Sequence, residues 1–211
     1  MFNAHHNLNI CTVTPYNNAS RKPKGAFHMI LNEDALRLDL KLTANRLKRF
    51  IRDSVQKTKA KGVALNLSGG VDSSTIAALS ALAIGGRKVL AFSLPEEETR
   101  NSIDIKHSQM VAKKYNFRLE TIDITPILKS YFKTIPAFDP RDRLSKGNVK
   151  ARARMIIVYY YANKHSRIVV GPSDKSETMM GYFTKWGDVA ADIAPLMDLY
   201  KTQVRQLAAH I

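Results

Sequence analysis

One short segment constrains the fold of this 211-residue chain more than any other. It follows the apolar run at residues 63–67 and reads Ser68-Gly69-Gly70-Val71-Asp72-Ser73, and a helical pattern begins directly after it. Glycines let a backbone approach a ligand closely, and the free N–H groups at a helix N-terminus attract anions. The segment therefore predicts a phosphate-binding loop between a buried strand and a helix.

Asp72 gives this loop a carboxylate, which on its own would repel a phosphate chain. A bridging divalent cation resolves that conflict, and Mg²⁺ is the expected ion. The loop is neither GxxxxGK[ST], because no lysine follows the glycines, nor GxGxxG. It resembles the SGGxDS loop of the ATP pyrophosphatases, which cleave ATP between the α and β phosphates. A Ser/Gly turn that caps an ordinary helix is the alternative interpretation.

Strand and helix patterns alternate along most of the chain. Strands are predicted at 63–67, 88–93, 119–124 and 168–171, and helices at 40–57, 74–82, 103–115, 126–132 and 151–164. Such alternation indicates a parallel sheet with right-handed crossovers. We expect an α/β fold, an open parallel sheet flanked by helices. Ligands of such sheets bind beyond the carboxyl ends of the strands, where the phosphate loop lies.

The second predicted strand runs into Pro95 and then into three consecutive glutamates, Glu96–Glu98. Proline ends strand pairing, so the chain leaves the sheet at the same edge as the phosphate loop. The backbone at 92–94 is a candidate adenine site. The acidic segment is interpreted either as a mobile lid or as an ordinary helix start.

Domain organisation follows from length and pattern. One domain is predicted at 31–211, after a flexible extension at 1–30 that lacks hydrophobic periodicity. No apolar run reaches the roughly 18 residues that a membrane helix needs. The single cysteine, Cys11, excludes an internal disulfide. We therefore expect a cytoplasmic protein.

The chain is strongly basic: lysine and arginine outnumber aspartate and glutamate by 33 to 18, for a formal net charge of +15. Such a surface attracts polyanions. The basic residues are scattered and show no RNA-binding signature, so phosphorylated small molecules are favoured over nucleic acid as partners. A tRNA-modifying ATP pyrophosphatase and a non-catalytic nucleotide-binding module are the alternative functions.

Cations crowd the start of the helix that follows residue 145: Lys146, Lys150, Arg152 and Arg154. Positive charge in the first turns of a helix opposes the helix dipole. We expect a bound phosphate to compensate it, with surface carboxylates such as Asp139 as the alternative.

The phosphate loop, GNVKARARM at 147–155 and GYFTKWGD at 181–188 together resemble the ammonia-dependent NAD synthetases. The resemblance runs from about residue 35 to the end of the chain. It implies a Rossmann-like fold of the adenine nucleotide alpha hydrolase type and a homodimer. It also implies the synthesis of NAD from deamido-NAD, ATP and ammonia.

The resemblance further implies roles for individual residues. Asp72 and Glu177 would ligate Mg²⁺, and together with Asp192 and Lys201 they are the expected catalytic residues. The expected ATP contacts are Ser68, Gly69, Gly70, Val71, Ser73 and Lys201, and the expected deamido-NAD contacts are Arg152, Lys185 and Asp192.

The chemistry of amidation explains these residue types. A nicotinate carboxylate is a poor electrophile, so it first attacks the α-phosphate of ATP, giving an acyl adenylate and pyrophosphate. Ammonia then displaces AMP, and Asp192 or Asp188 would hold ammonium and accept its proton. A glutaminase needs its own nucleophile, and Cys11 lies in an unpatterned tail, so free ammonia is expected rather than glutamine.

Two features depart from the family pattern. Family members usually carry threonine at the position of Pro172, and its hydroxyl contacts ATP. Proline also removes a backbone donor, and Ser173 is expected to substitute for the threonine in part. The family also normally continues beyond the helix that begins near Lys201. A C-terminally shortened chain is therefore expected.

Overall fold

The computed structural model describes residues 36–211, and this part forms one compact unit. The predictions for the extension at 1–30, including Cys11, lie outside the described residues. The elements are α1 (Leu40–Lys57), β1 (Val63–Asn66), α2 (Val71–Ile84), β2 (Val89–Ser93), α3 (Ser102–Lys114), β3 (Arg118–Thr121), α4 (Thr125–Thr134), α5 (Arg143–Lys164), β4 (Ile168–Val169), α6 (Lys175–Met180) and α7 (Lys201–His210).

The strands of residues 36–211 form a parallel sheet in the order β3-β2-β1-β4. Val63 at the start of β1 lies opposite Val89 of β2 on one side and Ile168 of β4 on the other. The two central strands are almost wholly buried, as expected when helices cover both faces of a parallel sheet. The predicted α/β fold with a parallel sheet flanked by helices is thereby confirmed.

Alternation along β1 divides the core into two layers. Val63 and Leu65 face the layer that contains α1, α2, α3 and α7, and Ile76 of α2 packs there. Ala64 faces the opposite layer, which contains α4 and α5 and includes Val158. Side chains point to opposite faces at successive strand positions, so one short strand anchors both layers. Within residues 36–211, no helix combines the length and the apolar character that crossing a membrane requires.

The start of α5 differs most from the prediction. The helix begins at residue 143 rather than 151, because the side chain of Asp142 caps it by accepting a 2.9 Å hydrogen bond from the backbone N–H of Ser145. Lys150 and Arg152 therefore lie beyond the second turn, where the helix dipole has little effect. The helix dipole therefore gives no reason to expect a phosphate beside these two residues, and a bound phosphate stays a prediction.

The acidic segment after β2 is bound to α5 through a set of four charged residues, which we call the Lys150 cluster: Lys150, Lys146, Glu96 and Glu98. Lys150 Nζ lies 2.8 Å from Glu96 Oε1 and 2.7 Å from Glu98 Oε2, and Lys146 Nζ lies 2.9 Å from Glu98 Oε1. Glu96 is only 3% exposed. The segment is not a helix start, because residues 97–99 form a turn held against α5. Its interpretation as a lid stays a prediction.

The Lys150 cluster shifts the pKa values of its members in the direction expected for paired charges. Burial would raise the pKa of Glu96, but its hydrogen bonds from Lys150 and Thr99 outweigh that effect and lower it. The hydrogen bonds from Lys150 and Lys146 lower the pKa of Glu98 to about 2. Burial would lower the pKa of Lys150, and the two glutamates raise it. All three groups are therefore held in their charged forms.

Candidate active site

The phosphate loop is folded around two serines. Ser73 Oγ accepts a 3.2 Å hydrogen bond from the backbone N–H of Ser68 and lies 3.0 Å from Ser68 Oγ. It also donates to the carbonyl oxygen of Gly70, the residue that precedes α2. No side chain of the described chain caps α2. The first N–H groups of this helix can therefore bind an anion, as the sequence predicts.

Gly69 shows why the loop needs glycine. Its φ angle is +87°, and a Cβ atom at this position would lie 2.4 Å from the carbonyl oxygen of Asp104 in α3. Both the backbone conformation and the close packing exclude a side chain. The loop is thus pressed directly onto α3.

Three carboxylates meet beside the loop, and we call them the acidic group: Asp72, Asp174 and Glu177. One oxygen from each lies within 4.8 Å of the others. Asp72 is in the first turn of α2, and Asp174 caps α6 by accepting a 2.8 Å hydrogen bond from the backbone N–H of Glu177. The sequence analysis named Asp72 and Glu177 but missed Asp174. The spacing of Asp174 and Glu177, typical of a capping box, is the signal that could have found it.

Lys201, the first residue of α7, reaches the acidic group. Its Nζ lies 2.7 Å from Asp72 Oδ2, 2.9 Å from Asp174 Oδ2 and 3.1 Å from Glu177 Oε1. Burial would lower the pKa of Lys201, but the hydrogen bonds to these carboxylates, first to Asp72, raise it above its ordinary value. The structure thus brings together the catalytic residues that the sequence analysis placed near ATP and the metal.

The acidic group fits a divalent cation. Three carboxylates and one ammonium leave two negative charges unbalanced. Asp72 Oδ1 is buried and has no hydrogen-bond partner among the described residues. Carboxylate oxygens are the ligands that Mg²⁺ prefers. These residues could therefore hold the metal that the loop predicts.

A cavity of about 710 Å³ opens beyond the carboxyl ends of the strands. Ser68 of the phosphate loop lines it, as do Ser93 and Leu94 after β2 and Gly171 and Pro172 after β4. Its volume is within the range of small-molecule sites. The cavity lies where the topology of a parallel sheet places a ligand.

Two cations of α5 that were not predicted from the sequence line the cavity, Arg143 and Arg154, and Arg154 is the more buried of them. Its Nε donates a 3.0 Å hydrogen bond to the carbonyl oxygen of Leu94, and burial lowers the pKa of its guanidinium. It forms no ion pair within residues 36–211. Residues 150, 154 and 158 share one side of α5 at helical spacing, but the sequence alone does not show that this side faces the cavity.

The three residues expected to contact deamido-NAD all lie outside the cavity lining: Arg152, Lys185 and Asp192. Arg152 is exposed, and its guanidinium donates hydrogen bonds of 3.1 and 3.2 Å to the carbonyl oxygen of Lys185. The side chain of Lys185 lies over the ring of Trp186. Arg152 therefore ties α5 to the GYFTKWGD segment, all of whose residues except Lys185 and Trp186 border the cavity.

Asp192 and Asp188 occupy different environments. Asp192 Oδ2 accepts a 2.7 Å hydrogen bond from the backbone N–H of Val169, and Oδ1 accepts one of 3.2 Å from the hydroxyl of Tyr159. Burial, with the charge of Asp192, raises the pKa of Tyr159. Asp188 borders the cavity, whereas Asp192 binds the backbone of β4. Of the two carboxylates expected to accept a proton from ammonium, Asp188 is therefore the one in contact with the cavity.

A parallel sheet flanked by helices, with a glycine loop beside an acidic group, defines an α/β protein of the ATP pyrophosphatase fold. The NAD synthase family model matches residues 43–211. The chain belongs to the NAD synthase family.

Similar proteins from two archaea support this membership. The NH(3)-dependent NAD(+) synthetase of Methanocaldococcus jannaschii is 44% identical over 169 residues, which cover 79% of this chain and 64% of that protein. The Methanosarcina mazei enzyme of the same name is 37% identical over 174 residues, covering 82% of this chain and 68% of that protein. The chain thus spans less than two thirds of the length of the M. jannaschii relative.

Solved structures show the same fold. The NMN synthetase of Francisella tularensis superposes with a TM-score of 0.77 at 34% identity, covering 82% of this chain and 71% of that one. The NH3-dependent NAD synthetase of Campylobacter jejuni, in complex with a nitrate ion, gives a TM-score of 0.77 at 30% identity, with coverage of 82% and 74%.

Proposed function

We propose that this protein uses ATP, Mg²⁺ and free ammonia to amidate deamido-NAD, releasing NAD, AMP and pyrophosphate. One observation carries the proposal: the phosphate loop lies beside the acidic group and Lys201 in a chain of the NAD synthase family. The reaction passes through an acyl adenylate, because a carboxylate must be activated before ammonia can attack it.

The phosphate loop is the proposed site of the ATP phosphates. The N–H groups at the start of α2 are not capped by a side chain of the described residues, and the hydroxyls of Ser68 and Ser73 lie 3.0 Å apart in the same loop. Asp72, Asp174 and Glu177 would hold Mg²⁺, which when bound neutralises charge on the triphosphate. Hydrogen-bond donors fixed at the loop stabilise departing pyrophosphate without reorganising.

The cavity is the proposed site of the acceptor. Arg154 supplies a partly buried positive charge that is near Glu96 but forms no ion pair within residues 36–211. Such a charge suits a substrate carboxylate or phosphate. Asp188, on the same cavity, would hold ammonium and accept the proton that it must lose. Asp192 positions Tyr159 and β4 through its two hydrogen bonds.

The assembly and location are part of the proposal. Leu144, Ile156 and Tyr160 of α5 are large apolar residues exposed to solvent, and they support a homodimer formed through this helix. We place the reaction in the cytoplasm, where ATP is available. Sedimentation of the purified chain tests the dimer.

The test is a complete product analysis. The purified chain, incubated with deamido-NAD, ATP, Mg²⁺ and ammonium, is expected to give NAD, AMP and pyrophosphate in equal amounts. Formation of ADP and phosphate, or ATP binding without pyrophosphate release, would contradict the proposal.

Three further reactions define the substrates. Glutamine replaces ammonium in the first and should support little turnover. Nicotinate mononucleotide replaces deamido-NAD in the second, because the Francisella relative is named an NMN synthetase. Transfer RNA replaces deamido-NAD in the third, and RNA-dependent pyrophosphate release would favour a tRNA-modifying enzyme instead.

A further inference from the structure

Lys201 lies where the proposed function requires a different cation. Its Nζ is within 3.1 Å of an oxygen of each of the three carboxylates in the acidic group. The same carboxylates are the proposed ligands of Mg²⁺, and the resemblance implies that Lys201 contacts ATP. One ammonium and one metal ion cannot both occupy the space between these oxygens.

We propose that Lys201 is the resident cation of the acidic group and that the metal nucleotide displaces it. The metal takes the position of the ammonium among the carboxylates, and Lys201 moves to the phosphate chain. This inference rests on the proposed metal site. It adds that the metal must compete with a side chain of the protein itself.

The charges of the site favour this exchange. With Lys201 in place, the acidic group retains two unbalanced negative charges, and a divalent ion would neutralise them more completely. Asp174 is fully buried, and the 2.9 Å contact with Nζ is the one polar contact of its Oδ2 among residues 36–211. Asp72 Oδ1 is also without a hydrogen-bond partner in the described chain. An ammonium therefore satisfies these oxygens only in part.

The position of Lys201 allows its side chain to move. Its backbone N–H donates a 3.0 Å hydrogen bond to Ser176 Oγ, which fixes the start of α7. The charge sits at the end of a flexible four-carbon chain, 28% of which is exposed. The ammonium can leave the acidic group without any movement of the helix. Without nucleotide, however, an ammonium that leaves the acidic group gives up its contacts with three carboxylates and finds no phosphate to replace them.

It follows that a divalent ion alone binds weakly and that nucleotide strengthens its binding. The phosphates of ATP accept the displaced ammonium, so the metal and the nucleotide each favour the other. Removal of the Lys201 charge should abolish the competition. Affinity for the metal alone should then rise, although the same change impairs the use of ATP.

The experiment measures the binding of Mn²⁺ alone, from the loss of the free-ion signal in electron paramagnetic resonance. The full chain is compared with Lys201→Met and with Lys175→Met. The control removes the same charge from neighbouring α6, where Lys175 lies 3.9 Å from Asp198 and outside the acidic group. We expect Lys201→Met to bind Mn²⁺ at least tenfold more tightly than the unchanged chain, and Lys175→Met to bind within twofold of it.

A second measurement uses the unchanged chain, so it holds even if Lys201→Met folds poorly. Acetylation by acetic anhydride, read by mass spectrometry, should rise several-fold at Lys201 when saturating Mn²⁺ displaces it, and should not change at Lys175. Equal or weaker Mn²⁺ binding by folded Lys201→Met, or unchanged acetylation of Lys201 on Mn²⁺ binding, overturns the inference alone. If neither the unchanged chain nor the folded variant binds Mn²⁺, the metal site of the proposed function fails as well.

Discussion

Two lysine–carboxylate clusters in this molecule have similar nitrogen–oxygen distances but differ in their charge balance. In the Lys150 cluster two lysines face two glutamates, and the charges balance. In the acidic group one lysine faces three carboxylates, and two negative charges remain. The side chain of Lys150 is 9% exposed, whereas that of Lys201 is 28% exposed. A short nitrogen–oxygen distance alone therefore does not separate a structural link from a binding site.

The difference lies in the charge balance and in the buried oxygen atoms. Glu96 accepts hydrogen bonds from Lys150, from Thr99 and from the backbone N–H of Glu98, so both of its oxygens are satisfied. Asp72 Oδ1 has no such partner within residues 36–211. A buried charge that is fully paired serves the fold, and excess charge held in place by the fold can bind a ligand.

The largest expected effect is on catalysis at the acidic group. Asp72→Asn should lower the rate of NAD formation by about a thousandfold, equivalent to about 4 kcal/mol of activation free energy, because it removes a proposed metal ligand. The same change relieves repulsion between carboxylates, so the free energy of unfolding should stay the same or rise. Pyrophosphate release and urea denaturation measure the two effects.

Asp198→Asn is the matched control for this change, because the Asp198 side chain is fully exposed and lies beside Lys175. It should leave both the rate and the stability close to those of the unchanged chain. A large loss of stability in Asp72→Asn would show that the acidic group serves the fold, and the contrast would fail.

The second effect is on stability at the Lys150 cluster. Lys150→Met should lower the free energy of unfolding by about 3 kcal/mol, because it leaves the buried carboxylate of Glu96 without its cation. Lys146→Met should cost less than about 1 kcal/mol, because its partner Glu98 is half exposed. Urea denaturation at pH 7 compares the two. Equal losses would show that burial does not distinguish these lysines.

The third effect distinguishes the two arginines of α5. Arg154→Met should lower kcat/KM by roughly thirtyfold, about 2 kcal/mol, because it removes a charged donor from the cavity. Arg152→Met removes the hydrogen bonds to the carbonyl oxygen of Lys185, which hold the GYFTKWGD segment against α5. It should therefore mainly raise the KM for deamido-NAD. Steady-state kinetics with each substrate varied in turn separates the two. An unchanged kcat/KM in Arg154→Met would show that Arg154 does not contact the substrate.

Much of this fold could be predicted from local sequence patterns. The predicted helix at 40–57 is α1, and every predicted strand has a counterpart in the sheet. Apolar runs mark the strands, and the two glycines after β1 mark the phosphate loop. The start of α5 was missed because Asp142 caps a segment that has no apolar periodicity.

The site was harder to predict where it depends on tertiary pairing. Asp72 and Glu177 could be assigned through the family resemblance, and the structure brings them together. Glu96 and Lys150 lie 54 positions apart, and nothing in the sequence indicates that their side chains pair. A hydrophobic or charge pattern predicts a single helix or strand and not its contacts with another. The same limit hid Arg154, whose role depends on where α5 faces the cavity.

The smallest expected effect is a pH dependence at the Lys150 cluster. At pH 7, Glu96→Gln should lower the free energy of unfolding by about 1.5 kcal/mol, because an amide accepts a weaker hydrogen bond from Lys150 than a carboxylate does. The pKa of Glu96 is lower in the folded chain than its ordinary value of 4.5. Its charge therefore contributes stability above that ordinary value, and this contribution is lost as the pH falls toward the folded pKa.

Urea denaturation from pH 7 to pH 3 should show this loss as a shrinking difference between the unchanged chain and Glu96→Gln. The neutral amide does not titrate, so the difference reports the ionisation of Glu96 alone. Glu97→Gln is the control, because Glu97 pairs with Lys129 at an exposed site and should contribute little at any pH. A difference that grows as the pH falls would mean that the pKa of Glu96 is raised by burial, and the Lys150 cluster would then hold an unsatisfied charge, as the acidic group does.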